Sequence, residues 1–216
     1  AVYNEIAARG YREVVSYAFV DEQWELDFAA NANPIRLQNP LAAQYAVMRS
    51  TLIGGLVEIL QNNLNRKQNR VRVFEIARVF SKDSDGQFVQ NERIGSLWYG
   101  AVMPEQWGEK TRNADFYDIK ADVENLLKNK AVEFVKTEHP ALHPGRAANI
   151  VSDGQIIGFV GELHPKWLQK YDLPQAPLVF EIDMSAVLER EKTRYQAVSK
   201  FQPVRRDLAF VMPETM

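Results

Sequence analysis

The chain has 216 residues, 46% of them hydrophobic and 25% charged, enough to close a large apolar core and too apolar for a disordered segment. A formal net charge of −2 gives no overall electrostatic pull toward nucleic acid, so any such contact must be local. The absence of cysteine excludes a disulfide framework, a thiolate nucleophile and a Cys-ligated metal, and fits a cytoplasmic protein.

No apolar run reaches the roughly 20 residues of a membrane span, and the first residues have neither the basic start nor the apolar block of a signal peptide. The chain starts at Ala1 without an initiator Met, and its end, PVRRDLAFVMPETM, contains a strand pattern with nothing after it to pair. Both features suggest a piece of a longer protein.

In chain order, Val2 to Ala8 reads as a helix stopped by Gly10, and VVSYAFV from Val14 to Val20 as a strand. DEQWELDFA restarts a helix, and PIRLQNP is a short strand between Pro34 and Pro40. Ser50 or Thr51 is placed to cap a helix whose Leu52, Leu56, Ile59, Leu60 and Leu64 share one face. Arg66, Lys67 and Arg70 follow at its C-terminal end, where cations complement the helix dipole. VRVFEIARVF, Val71 to Phe80, is apolar on both alternating faces, as a strand covered on both sides should be. Glu75 lies within it and must be paired or stand at a functional edge.

RIGSLWYGAV is a further strand, and DFYDIKADVENLLKNK sets Phe116, Ile119, Val123, Leu126 and Leu127 on an amphipathic helix capped by Asp115. AVEFVKTE, AANIV and QIIGFVGEL are strands, the last two joined through Asp153 and Gly154 as a hairpin. His164 and Pro165 open a short helix, and LVFEIDM is the last strand before SAVLERE. This order predicts an α+β fold, an antiparallel sheet flanked by helices.

Few motifs carry chemistry. HPALHPGR places His139 and His143 four apart, a metal spacing only on a helix, which Pro140 and Pro144 disfavour; a rigid loop presenting Arg146 to a carboxylate or phosphate is the other reading. Asp115, Asp118, Asp122 and Glu124 read as magnesium ligands or, more simply, as a cap and a solvated face. Arg66, Lys67, Arg70 and Arg72, interleaved with asparagines, form the densest basic patch; helix-end electrostatics and contact with RNA phosphates both account for it. No Ser, His and Asp set has the local context of a nucleophile.

GYREVVSYAFV, NPL with MRSTLIGGLVEILQNNLNR, VRVFEIARVF, FYDIKADVENLL, HPGRAANI, IGFVGELHP and FEIDMSAVL together resemble the β-subunit family of bacterial phenylalanyl-tRNA synthetases over about residues 1 to 190. The resemblance implies a class II synthetase-like core over 1–195 that has lost its active site. It also implies a linker and the truncated start of a ferredoxin-like, anticodon-binding-type domain over 196–216. Active class II domains continue the Phe80 strand into an Arg, one further residue and a Glu; here Ser81, Lys82 and Asp83 follow. Ser81 cannot clamp an α-phosphate, and Lys82 would do so poorly from the opposite strand face.

FEIDMSAVLERE lacks the glycines that the family's last signature places under adenine. Phe180 and Ile182 would crowd that pocket, and Arg190 lies too far along to meet a γ-phosphate. The implied role is a noncatalytic scaffold for the catalytic α subunit in an α2β2 complex that attaches phenylalanine to tRNA(Phe). ATP and magnesium are then implied for the complex and no cofactor for this stretch. Trp98, Tyr99 and Trp107 become candidate interface anchors, with core burial as the competing reading. A rearranged ATP site using Arg78, Lys82 or Arg146, and an RNA-contacting module at Arg66 to Arg72, stay open as alternatives.

Overall fold

The computed structural model describes residues 2–189, 201 and 204–211. Helix α1 (Val2–Ala8) leads through β1 (Arg12–Glu13) and β2 (Phe19–Val20) to α2 (Glu22–Ala29). A 3-10 turn (Ala43–Tyr45) and β3 (Val47–Met48) precede α3 (Ile53–Asn65), and β4 (Val71–Lys82) and β5 (Phe88–Tyr99) follow it. Next come α4 (Phe116–Leu126), β6 (Glu133–Lys136), β7 (Leu142–Ser152), β8 (Gln155–Leu163), α5 (Pro165–Lys170), β9 (Leu178–Asp183) and α6 (Met184–Leu188).

Seven strands form one sheet in the order β1-β4-β5-β9-β8-β7-β6, antiparallel except where β1 lies parallel to β4. A separate ribbon pairs β2 with β3. The sheet is covered on both faces, as VRVFEIARVF predicts. On one face Phe74, Ile94, Val160, Phe180 and Ile182 pack with Ile6 of α1, with Ile119 and Val123 of α4, and with Met184 and Ala186 of α6. On the other, Val73, Leu97 and Val179 pack with Phe28 of α2, with Leu56 and Leu60 of α3, and with Trp167 of α5. Burial of so many aliphatic and aromatic side chains, each worth about 1.5–3 kcal/mol, is the main force holding the layers together.

Local signals place several elements as expected. Asp115 and Asp118 form a capping box at the start of α4, and His164 accepts from the Lys166 N–H with Pro165 in the first helical turn. Asp153 and Gly154 both adopt positive φ, 49° and 75°, as the two-residue turn between β7 and β8 requires.

Other expectations are corrected. VVSYAFV yields only the two residues of β2, because Val14 donates its N–H to the Phe74 carbonyl and Ser16 is held by the Glu75 side chain. PIRLQNP contributes only an isolated bridge, Arg36 to Val47. The residue preceding α3 is Leu52, without a side-chain cap; one position earlier Thr51 accepts from the Ile53 N–H at 3.3 Å, and Ser50 and Thr51 donate their hydroxyls to distant carboxylates. HPALHPGR is not wholly a loop, since β7 begins at Leu142 and reaches Ala147 through a register shift. Asp122 does not belong to a solvated face; it is buried. Residues 204–211 are exposed and carry no strand, while Arg190 lies outside the described residues. Among the described residues no helix is long and apolar enough to cross a membrane.

Candidate functional site

Among the described residues, Glu75 and Glu181 are the charged side chains inside strands that are fully shielded from water, and they mark the place to look. Glu75 of β4 stands opposite Gly95 of β5, Gly95 opposite Glu181 of β9, and Glu181 opposite Phe159 of β8, one row across four strands on the α3 face. Gly95 leaves room in the middle of that row for Leu52, whose Cβ lies 2.9 Å from where a β-carbon on Gly95 would be. Two buried carboxylates therefore flank the start of α3, and a buried ionised group needs partners.

The partners come largely from Arg49-Ser50-Thr51-Leu52, each residue of which meets a buried carboxylate. Arg49 Nη1 donates to Glu75 Oε1 at 3.0 Å and to Ser16 Oγ at 2.8 Å, while its Nε donates to the Arg78 carbonyl at 3.0 Å. Ser16 donates its own N–H and hydroxyl to Glu75 at 3.1 and 2.7 Å. Ser50 donates N–H and hydroxyl to Glu25 of α2 at 2.8 and 2.5 Å, and Asn31 supplies Glu25 with a third donor at 2.7 Å. Glu181 Oε2 accepts from the Thr51 hydroxyl at 2.7 Å and the Leu52 N–H at 2.8 Å. Its Oε1 accepts from Arg93 Nη1 at 2.7 Å, and Arg93 Nε donates to Asp183 at 2.8 Å.

This lattice serves α3 directly. A carboxylate taking the Leu52 N–H at the positive end of the helix does from β9 what a local cap would have done. At the end of the row the His139 ring lies 4.1 Å from that of Phe159. Burial, and secondarily the charge of Arg93, push the His139 pKa down to about 4, so this imidazole is neutral near pH 7. It is no cation for a phosphate.

Most cations near this row are engaged by groups of the chain itself. Arg49 is matched by Glu75, and Arg93 by Glu181 and Asp183, all at hydrogen-bond distance. Arg78 donates to Gln90, and Lys82 stands exposed near the tip of the β4–β5 hairpin. Phe180 and Ile182 are fully buried against α4 and α6, filling the space beneath β9 on the opposite face. No group of three or more His, Asp or Glu with metal-holding geometry occurs among the described residues.

The basic patch of Arg66, Lys67, Arg70 and Arg72 does not form one surface. Arg66 and Lys67 are exposed just past α3. Arg70 turns back to the carbonyls of Ala101 and Val102 at 3.0 and 2.9 Å. Arg72 is largely buried, its guanidinium 3.6 Å from the Trp98 ring centroid and 2.8 Å from Asp122. Asp122 also takes Arg9 at 2.6 Å and the Tyr11 hydroxyl at 2.7 Å, tying α1, β4 and α4 together. The aromatic trio is divided likewise. Trp98 and Tyr99 are core residues at 4% and 7% exposure, which removes them as surface anchors, whereas Trp107 is fully exposed.

Arg49, Ser16, Glu25 and Arg93 carry the lattice and do not stand out in sequence. The one available signal is a single Glu inside each of two apolar strand runs, VRVFEIARVF and LVFEIDM.

A family model described as the phenylalanyl tRNA synthetase beta chain CLM domain matches residues 1–184. The phenylalanine--tRNA ligase beta subunit of Neisseria meningitidis serogroup B is 93% identical over 216 residues, and that of Neisseria gonorrhoeae 92%. In each case all of this chain and 27% of the relative are covered. The beta subunit of Chromobacterium violaceum is 56% identical over 211 residues, covering 98% of this chain and 27% of the relative. The chain thus spans about a quarter of the length of the curated relatives it matches.

Proposed function

The chain belongs to the phenylalanyl-tRNA synthetase beta chain family, and we propose that it is that family's catalytically silent, class II synthetase-like domain, kept as a scaffold for a catalytic α subunit. The domain extends over 1–195, with a linker and the start of a ferredoxin-like, anticodon-binding-type domain at 196–216. The assembly is an α2β2 complex in the cytoplasm that attaches phenylalanine to tRNA(Phe), with ATP and magnesium bound by the complex elsewhere than on these residues.

One observation carries the reading. The buried polar groups around the row that crosses the sheet beneath α3 are matched to one another, Arg49 with Glu75, Arg93 and Thr51 with Glu181, Ser50 with Glu25. A site kept for adenylate formation needs a cation held in reserve for the developing phosphate charge. This chain uses the two arginines at that row to pin α3. The Ser81-Lys82-Asp83 sequence beyond Phe80 agrees with the same loss.

The test is light scattering on a size-exclusion column, with the complete β subunit mixed with its α subunit and this stretch intact or deleted. The scaffold reading expects a defined α2β2 mass with the intact subunit and loss of that mass on deletion. Unaltered assembly and aminoacylation by a folded deletion variant would refute it.

A further inference from the structure

At the β6 edge of the sheet, next to the start of α4, lies a cavity of about 450 Å³, within the range of pockets that hold small ligands. Its walls include Phe116 and Tyr117 of α4, Phe134 and Lys136 of β6, Arg146 of β7 and Glu162 of β8. Phe116 and Phe134 are partly buried against the core and fix the floor. Tyr117 is 76% exposed and presents its ring to solvent. Arg146 uses a single nitrogen, Nη1, for both contacts to Glu162, at 3.1 and 2.9 Å, and this pair is exposed on the Arg146 side. Lys136 is exposed beside it, and Lys120 sits 4.4 Å from the Phe134 ring centroid.

An accessible aromatic ring beside two surface cations is the combination that captures unstacked nucleotides. The ring takes a base face and the cations the backbone phosphate. Glu162 adds an acceptor for an exocyclic amine, a donor that a base carries and an acidic side chain lacks, and an acidic peptide would leave the Tyr117 ring unused. We propose that this cavity binds one unstacked nucleotide of single-stranded RNA, the base on Tyr117 and its phosphate between Lys136 and Arg146. The proposal rests on the reading that the domain serves a tRNA-handling complex, and it relocates RNA contact from the Arg66 to Arg72 stretch, where two of the four cations are spent internally.

The experiment is photocrosslinking of 4-thiouridine-containing tRNA to the complete β subunit, alone and assembled with α, followed by peptide mapping. The expected result is an adduct in the peptides holding residues 115–117, 134–136 or 146. Tyr117→Ala should lower its yield at subsaturating RNA by roughly five- to a hundredfold, and K136Q/R146Q should flatten its salt dependence, by about 0.7 in log–log slope for each phosphate no longer neutralised. Competition by an abasic tetranucleotide as strong as by the intact one would overturn the assignment, since the base on Tyr117 would then contribute nothing. Adducts only elsewhere, with assembly intact, would overturn the cavity proposal and leave the scaffold reading standing. Loss of α binding by Y117A without any local adduct would also overturn it, assigning the cavity to a protein interface. If the intact subunit fails to assemble with α, the scaffold reading falls, and the crosslinks of the β subunit alone still decide the cavity.

Discussion

Replacing Glu181 by Ala tests the lattice where it is most concentrated. The side chain is 1% exposed and accepts three hydrogen bonds, from Thr51, Leu52 and Arg93, between 2.7 and 2.8 Å. Its removal strands two buried donors at the start of α3, each worth about 1–3 kcal/mol when left unpaired. Breaking a buried ion pair from one side costs about 3–5 kcal/mol. Arg93 keeps Asp183 and is partly exposed, which places the total toward the lower end, about 3–4 kcal/mol. Urea unfolding followed by tryptophan fluorescence measures this, since a change in midpoint with an unaltered slope reports stability alone. A Glu181→Gln variant should lose less, because the amide oxygen still accepts from Thr51 or Leu52. A loss below about 1 kcal/mol for the alanine variant would show that α3 is held by its apolar face and not by the carboxylates.

Asp122→Ala should destabilise by about 3 kcal/mol or more, since it leaves Arg9, Arg72 and the Tyr11 hydroxyl without their shared acceptor; the same urea titration checks it, and Tyr11→Phe should cost only about 1 kcal/mol. His139 gives a pH signature. Its folded pKa of about 4 lies below the ordinary value of 6.5, so the unfolded chain binds the proton first. The stability associated with the neutral ring is complete above pH 6.5 and is lost as pH falls toward 4; His139→Asn should make the decline between those values shallower. Arg66→Gln with Lys67→Gln should change stability by less than about 0.5 kcal/mol, because both side chains are exposed.

How far the sequence can be read follows from what each signal encodes. Periodicity and caps are local, so α3, α4, the Asp153-Gly154 hairpin and the Asp115 and His164 caps are legible from neighbouring residues alone. The same holds for VRVFEIARVF, whose two apolar faces demand cover on both sides. Partnership across the fold is not local. Asp122 looks like one more acid on a polar helix face until Arg9 and Tyr11, 113 and 111 residues away, close over it. Arg70 and Arg72 look like surface cations because their acceptors, the Ala101 and Val102 carbonyls and Asp122, lie on other elements. Ser50 and Thr51 are legible as polar residues at a helix start, but no local rule says that a carboxylate on β9 will take the N–H of Leu52. Phe180 and Ile182 are the opposite case: an apolar strand run alone points to burial, and both are fully buried.

Equilibrium titration of the 216-residue chain with magnesium-ATP addresses the central claim most directly. With Arg49 and Arg93 matched by carboxylates and Phe180 and Ile182 filling the opposite face, the account predicts no saturable heat or fluorescence change at micromolar nucleotide. A saturable signal at micromolar ATP that disappears in Arg49→Gln or Arg93→Gln would contradict it and return the chain to the ATP-using enzymes.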